Sequence, residues 1–524
     1  MELIFLSLTL LVSFSTALQH NFAVNQDART LIAPIGKPYG FLSSGCFGFD
    51  VFDFKIELGH KHRKGSKMAN LDEKQLEILR SLDAGFLLKR FESESAFAKY
   101  EDEFLTNSSH CIFESFLDRE DDPIFEDDDT SYGDVGEIMT AASEGIFLRV
   151  RFTNSSWTTK SASVMYGFKK GEDGLYFLMF QVCRKTFAAR HAEIRTTFEI
   201  DFHYKNKDQL GLDSYLTAGD MPLPVVFFYF FVSYLLCTVI WILNIRGIQK
   251  GREGCFASPG EHPVIYAIHH LMSLLLVIKT VTTLLEAIRY HYIRMTGHAE
   301  IWSALYYAMS FVKSIFLFTV VLLIGSGWSF VKPFLSNREK CLIFAVLIMQ
   351  VIDNIAIVVL ASTAEGESVY DDWSAILHLL DVLCCCAVLI PIVWQVNALE
   401  KNLVDDEEEQ DAVQSLDGQD RAEKQKTLDK LKRFRSFYVV VVAYIYCTRI
   451  AVYLFATMLD YRHTWVRYFF SELATLVFYA VMGLQFRPMS ENPYLALSKR
   501  DDEVAFEREV ELRQENTRIA SRAS

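Results

Sequence analysis

Seven apolar segments between Pro222 and Phe486 constrain this chain more than any other feature. They run Pro222 to Ile245, Pro263 to Tyr290, Ile301 to Ile324, Cys341 to Leu360, Trp373 to Val396, Phe437 to Leu459 and Val466 to Phe486. A bilayer with a hydrocarbon core of ~30 Å is crossed by roughly 20 helical residues, and each segment reaches that length. In lipid the backbone must satisfy its own hydrogen bonds, so segments of this kind form helices. Buried helices of a soluble protein would keep a polar stripe, and most of these do not. The expected fold is therefore an α-helical membrane protein, a bundle of seven transmembrane helices over 221–486.

The remaining sequence separates into polar blocks around that bundle. Hydrophobic residues make up 51% of the chain and charged residues 23%, so apolar and charged stretches are held apart rather than mixed. A formal net charge of −14 removes nucleic acid from the partner classes, because a phosphate binder needs a basic face.

At the amino end, Leu3 to Ala17 is apolar and closes on Ser15-Thr16-Ala17, a small-x-small pattern suited to signal peptidase. Residues 1–17 are accordingly expected to be a cleaved signal, although Glu2 stands where a basic region is usual. Residues 18–220 read as an all-β domain. Ile146, Leu148, Val150 and Phe152 alternate with other residues, as do Val164, Tyr166 and Phe168, and Phe198, Ile200, Phe202 and Tyr204. The stretch from Lys169 to Gly174 reads as a hairpin loop before a strand from Leu175 to Cys183. Phe41 to Ile56 adds strands, and Asn70 to Phe91 fits helix or strand. Short strands joined by Gly-rich turns suggest a β-sandwich. Asp118 to Glu137, dense in carboxylates, reads as a solvated loop, since EF-hand ligand spacing is missing.

Orientation follows from three signals. Both glycosylation sequons, at Asn107 and Asn154, fall in the β-domain. The first, third and fifth inter-helix loops carry the basic residues, and the fifth loop (398–436) is basic from Lys424 to Arg435, where it would meet anionic lipid. With the signal segment, this places the β-domain in the lumen and the tail, 487–524, in the cytosol. Of ten cysteines, only Cys46, Cys111 and Cys183 precede the bundle; an odd number fits one disulfide and one free thiol.

Charges inside the helices are the strongest candidates for a functional site. Lys279, Lys313, Asp353, Asp381, Arg449 and Glu472 lie well within their segments. Each central charge facing lipid opposes insertion by ~2.5–3.5 kcal/mol, so the six must face the bundle interior. Counting ~1.5 Å per residue puts Lys313, Asp353 and Arg449 near the midplane and Lys279, Asp381 and Glu472 in the lumenal half. The set forms either a polar pocket for a lipid headgroup, an ion or a proton path, or an ion-pair network that fixes helix order. Glu286 and Arg289, near an interface, read as snorkelling residues. His269, His270 and His378 lack the spacing of a zinc hydrolase, so no metal and no catalytic set is assigned, and Cys384, Cys385 and Cys386 read as packing. Past the last helix, Tyr494-Leu495-Ala496-Leu497 matches the Tyr-x-x-apolar pattern that adaptor proteins bind as an extended strand, with Tyr494 and Leu497 as its anchors.

Several stretches carry a family resemblance. They are Asp213-Ser214-Tyr215-Leu216-Thr217-Ala218-Gly219 before the first helix and Leu323-Ile324-Gly325-Ser326-Gly327-Trp328-Ser329-Phe330 after the third. Leu380-Asp381-Val382-Leu383-Cys384-Cys385, Tyr444-Ile445-Tyr446-Cys447-Thr448-Arg449-Ile450, and Phe486-Arg487-Pro488 with Asn492-Pro493-Tyr494-Leu495 complete the set. In these the chain resembles the lung seven-transmembrane receptor family, the GOLD-domain seven-helix proteins, in its Golgi orphan-receptor branch. The resemblance implies a GOLD-like β-sandwich above the bundle, a disulfide between Cys111 and Cys183, residence in the Golgi and trans-Golgi network, and a part in endosome-to-Golgi trafficking. The alternatives it leaves open are a G-protein-coupled receptor and a cation or proton path. The Asp-Arg-Tyr of rhodopsin-like receptors is missing after the third helix, where Gly325-Ser326-Gly327-Trp328 stands. Expected partners are membrane lipids, a lumenal ligand or cargo protein, a clathrin adaptor and a G protein. A bound phospholipid is the one non-protein component expected.

Overall fold

The computed structural model describes residues 21–34, 37–58, 82–100, 111, 137–141, 145–150, 158–184, 194–208, 210–250, 265, 267–325, 337–362, 376–377, 379, 383, 439–444, 447–448 and 459–488. The segments 1–17 and 398–436, the sequons, Asp381, Arg449, Tyr494 and Leu497 lie outside these residues.

The amino-terminal domain is two antiparallel sheets. Its strands are β1 (Asn21–Asp27), β2 (Leu31–Ile32), β3 (Tyr39–Phe41), β4 (Cys46–Leu58), β5 (Leu82–Phe91), β6 (Glu137–Ala141), β7 (Gly145–Val150), β8 (Thr158–Gly167), β9 (Gly174–Arg184), β10 (Ile194–Lys207) and β11 (Asp213–Ser214). One sheet has the order β1-β10-β4-β8 with β11 added to β10; the other runs β2-β9-β5-β7-β6 with β3 beside β9. Alternate residues of both sheets meet in a phenylalanine-rich core. Phe86 and Phe180 of one sheet lie 4.8 Å apart by ring centroid, and Phe180 meets Phe198 of the other at 4.9 Å. Aromatic pairs of this kind add ~0.5–1.5 kcal/mol beyond their area.

Two local features go beyond or correct the reading from sequence. In β4 the buried residues are Phe47, Phe49 and Val51, then Phe54 and Ile56. The phase changes because Asp53 adopts φ 49° and the register against β10 slips there, a bulge that adds one residue and turns the following side chains back into the core. The Lys169–Gly174 stretch is not a hairpin loop. β8 pairs with β4 and β9 with β5, so the chain crosses from one sheet to the other at that turn. A Gly-rich turn reverses the chain, but it does not oblige the flanking strands to pair.

β9 is buried on both faces. Leu178, Phe180 and Val182 enter the inter-sheet core, while Leu175, Phe177 and Met179 join a second cluster with Phe97, Tyr100, Ala218 and Tyr461. Phe97 and Tyr100 come from a short helix, α1 (Glu94–Tyr100), started by Ser93, whose Oγ accepts from the Ala96 N–H at 3.2 Å. Cys111 is bonded to Cys183 at the border of this cluster.

Long helices follow: α2 (Leu223–Gln249), α3 (Ala267–Thr296), α4 (Glu300–Gly325), α5 (Asn337–Ser362) and α6 (Trp465–Gln485). The helices of 223–249, 267–296, 300–324 and 461–485 are long and apolar enough to cross a membrane. α2 packs on α3, α3 on α4 and α4 on α5, and α6 returns against α2. The return of α6 brings the first and last of the described spans together.

Candidate functional site

The interior site begins on α3. Lys279 is 3% exposed, and its Nζ donates to Glu472 Oε1 of α6 at 2.9 Å, with Oε2 at 2.8 Å. Tyr234 of α2 completes the contact: its hydroxyl donates to Glu472 Oε2 at 3.2 Å, and Lys279 Nζ stands 5.1 Å from its ring centroid. The three helices are thus joined at one level. Beside that contact Thr238 and Thr280 share a hydrogen bond of 2.8 Å, and farther from the β-domain the Trp241 indole N–H donates to Ser273 Oγ at 3.0 Å.

A second group lies nearer the β-domain. Tyr306 of α4 donates to Glu286 Oε1 at 3.1 Å. Arg289 donates to Ser303 Oγ at 3.1 Å and to the Tyr307 hydroxyl at 3.2 Å. Glu286 and Arg289 therefore bind α4 rather than snorkel. Their three-residue spacing puts both on one face of α3, and that face is packed.

Lys313 sits at the middle of α4, half-buried, within electrostatic reach of Lys279, Glu286 and Glu472. Counted formally, the four groups are two bases and two acids, a balanced set. Asp353 is buried on α5, one turn from Gln350, which pairs with Ser314 Oγ at 2.5 Å. Of the six candidate charges, the structure brings Lys279, Glu472 and Lys313 together and places Asp353 on the neighbouring α5. Sequence reasoning missed Tyr234, Tyr306 and Gln350, because neutral polar residues on apolar helices carry no signal of their own. At the end of the bundle remote from the β-domain, His269 Nε2 lies 3.0 Å from the Phe486 carbonyl oxygen. A cavity of about 290 Å³ opens between α2, α3, α4 and α6 there, lined mainly by apolar side chains such as Ile240, Met272, Leu317, Val320 and Met482, with Arg487 at its border.

The junction between β-domain and bundle is a second site, built on the Asp213–Gly219 stretch. Asn206 is fully buried; its Nδ2 donates to the Gly40 and Leu216 carbonyls at 2.9 and 3.2 Å, and its Oδ1 accepts from the Leu42 N–H at 2.9 Å. One side chain thus ties β3 to the linker. Gly219 lies so close to the turn before α6 that an added Cβ would collide with Thr464 Oγ1 and the Tyr461 carbonyl oxygen. The Gly219 carbonyl accepts from the Trp465 N–H at 3.1 Å, and Thr464 Oγ1 donates to Asp220 Oδ1 at 3.1 Å. Arg462 pairs with Asp173, Arg467 stands 3.9 Å from Glu94, and Arg294 pairs with Asp208 at 2.5 Å. Burial raises the carboxyl pKa of Asp220, an effect that Arg467 and the Thr464 hydroxyl oppose only in part. Glu94 is raised for the same reason.

Comparison with known proteins matches the bundle. Residues 222–493 fit the family described as GOST, seven transmembrane domain. A relative from Arabidopsis thaliana named candidate G-protein coupled receptor 6 is 33% identical over 294 residues, which is 56% of this chain and 62% of the relative. The match thus spans somewhat less than two thirds of that relative's length.

Proposed function

The chain belongs to the GOST family of seven-transmembrane proteins, and on that premise we propose that it is a Golgi and trans-Golgi-network sorting protein, with its β-domain in the lumen and its tail in the cytosol. It would couple a lumenal cargo or ligand to the cytosolic machinery of endosome-to-Golgi retrieval. One observation carries the reading. The β-domain grips the turn before α6 and the first turn of that helix through Gly219, Asp220, Asp173 and Glu94, and α6 is the helix that leads into the tail bearing Tyr494 and Leu497. An event at the β-domain has a direct mechanical route to that segment, where a clathrin adaptor would bind an extended strand. The reading contains no catalytic step. A phospholipid acyl chain is the occupant we assign to the apolar cavity beside Arg487.

Loss of the protein is expected to slow retrieval of a retrograde cargo, and Tyr494→Ala with Leu497→Ala is expected to move the protein out of the Golgi. Normal retrieval in a knockout overturns the proposal. The name of the Arabidopsis thaliana relative favours a second reading, a receptor signalling through a G protein. Ligand-dependent nucleotide exchange on a purified G protein would select that reading over sorting.

A further inference from the structure

The most exposed large apolar side chain among the described residues is Leu210, at 81%, and Leu212 two positions on is 58% exposed. Both belong to the tight loop between β10 and β11. Asn206 pairs with Ser214 and Lys207 with Asp213. The Asp208 N–H donates to the Leu212 carbonyl at 2.8 Å, and the Gly211 N–H to the Asp208 carbonyl at 2.8 Å. Gly211 has φ 77°, the left-handed conformation that closes a tight hairpin turn. The loop is therefore a built ribbon, presenting two leucines that could have been polar at no cost to its turn.

A single exposed leucine needs no explanation. These two stand at a particular height. Arg294, in the last turn of α3, pairs with Asp208 at 2.5 Å, and its carbonyl accepts from the Tyr215 N–H at 3.1 Å. The ribbon is thereby fastened to α3 from both ends. The apolar segment of α3 ends at Tyr290, so Arg294, four residues and about 6 Å beyond it, falls in the headgroup layer. Beside it Tyr292 stacks on Trp302 at 5.5 Å, the kind of aromatic pair that gathers at a membrane surface. Met295 and Ile301, at the facing ends of α3 and α4, are exposed as well.

We propose that the Lys207–Asp213 ribbon is a membrane foot: Leu210 and Leu212 enter the headgroup–acyl boundary of the leaflet on the β-domain's side and fix the height and tilt of that domain over the bundle. The occupant of this surface is lipid, because the ribbon is bonded to a spanning helix at the depth where lipid headgroups lie. The proposal rests on the bundle spanning a membrane and is independent of the sorting reading.

The test uses the full chain in proteoliposomes of phosphatidylcholine carrying alkyne-tagged acyl chains, with the photoreactive residue p-benzoylphenylalanine at position 210, 212 or 25. Asn25 is exposed on β1, beside the end of β10 farthest from the ribbon. Lipid adducts at positions 210 and 212 are expected to exceed those at position 25 at least fivefold. Adduct yields at both ribbon positions equal to that at position 25, or adducts at both to another protein in place of lipid, would overturn the proposal. Two ribbon positions are used so that failure of one variant to fold leaves the other to decide.

Discussion

Lys279 and Glu472 stand 193 residues apart in the chain and are joined in the bundle interior by contacts of 2.9 and 2.8 Å from one ammonium to both carboxylate oxygens. The pair links α3 to α6, and the Tyr234 hydroxyl on the same carboxylate adds α2. Attraction between two such charges strengthens as the surrounding dielectric falls, whereas the desolvation each suffers does not depend on its partner's presence. Removing either member therefore does more harm than replacing both.

Glu472→Ala is expected to lower the stability of the bundle by about 3–5 kcal/mol, the range for a buried charge left without its partner. Lys279→Met combined with Glu472→Gln should recover most of that loss. Thermal unfolding followed by size-exclusion fluorescence in detergent measures both. A double variant as unstable as Glu472→Ala would mean that Lys279 and Glu472 are not coupled.

The seven apolar segments made the bundle legible, since each carries its signal within about 20 neighbouring residues. Period-two alternation did the same for β7, β8 and β10. The partner of Lys279 was not legible. Asp381 and Glu472 share its lumenal half, and nothing in the sequence chooses between them; the choice comes from helix order, which brings α6 against α2. The sheet assignments of β8 and β9 failed for a related reason: pairing is set by burial across the whole domain, and the local turn is silent about it. The bulge at Asp53 was hidden because an aspartate accepts positive φ without any neighbouring glycine to announce it. Glu286 and Arg289 misled because distance from a helix end cannot distinguish a side chain reaching for water from one reaching a tyrosine.

Gly219→Ala tests the junction sterically. The added methyl meets Thr464 and the Tyr461 backbone, so the turn before α6 must move. Faster proteolysis within 205–222 is expected, with the disulfide-linked β-domain intact. Gly247→Ala is the contrast: nothing lies within 4 Å of its would-be Cβ and it sits in α2. That change is expected to be neutral or to stabilise by up to ~1 kcal/mol through helix propensity.

The bond between Cys111 and Cys183 closes a loop of 72 residues. Chain entropy alone assigns about 4 kcal/mol to a closure of that length. Cys111→Ser is expected to lower the melting point of the β-domain and to remove the difference between reduced and oxidised protein on thermal unfolding. A reductant-dependent shift that survives in Cys111→Ser would point to a different pair.

Asp220 gives the junction a pH dependence whose sign is fixed by burial. Docked, its carboxyl has a pKa raised above the ordinary value; released, it returns to water and to about 3.9. Between those values the docked state binds more protons, so docking weakens as pH rises through the raised pKa and is strongest below the ordinary one. The groups around it are Arg467, Lys37, Glu94, Tyr39 and Tyr290. Glu94, raised in the same direction, adds to the effect. Acidification from neutral toward that window should therefore slow hydrogen exchange at the Trp465 amide, which donates to Gly219, after correction for the intrinsic rate. Asp220→Asn should remove most of this pH response while leaving the Arg462–Asp173 pair in place. Exchange at Trp465 that speeds up on acidification in this range would show that the carboxylate form of Asp220, held by Arg467, is the one that docks.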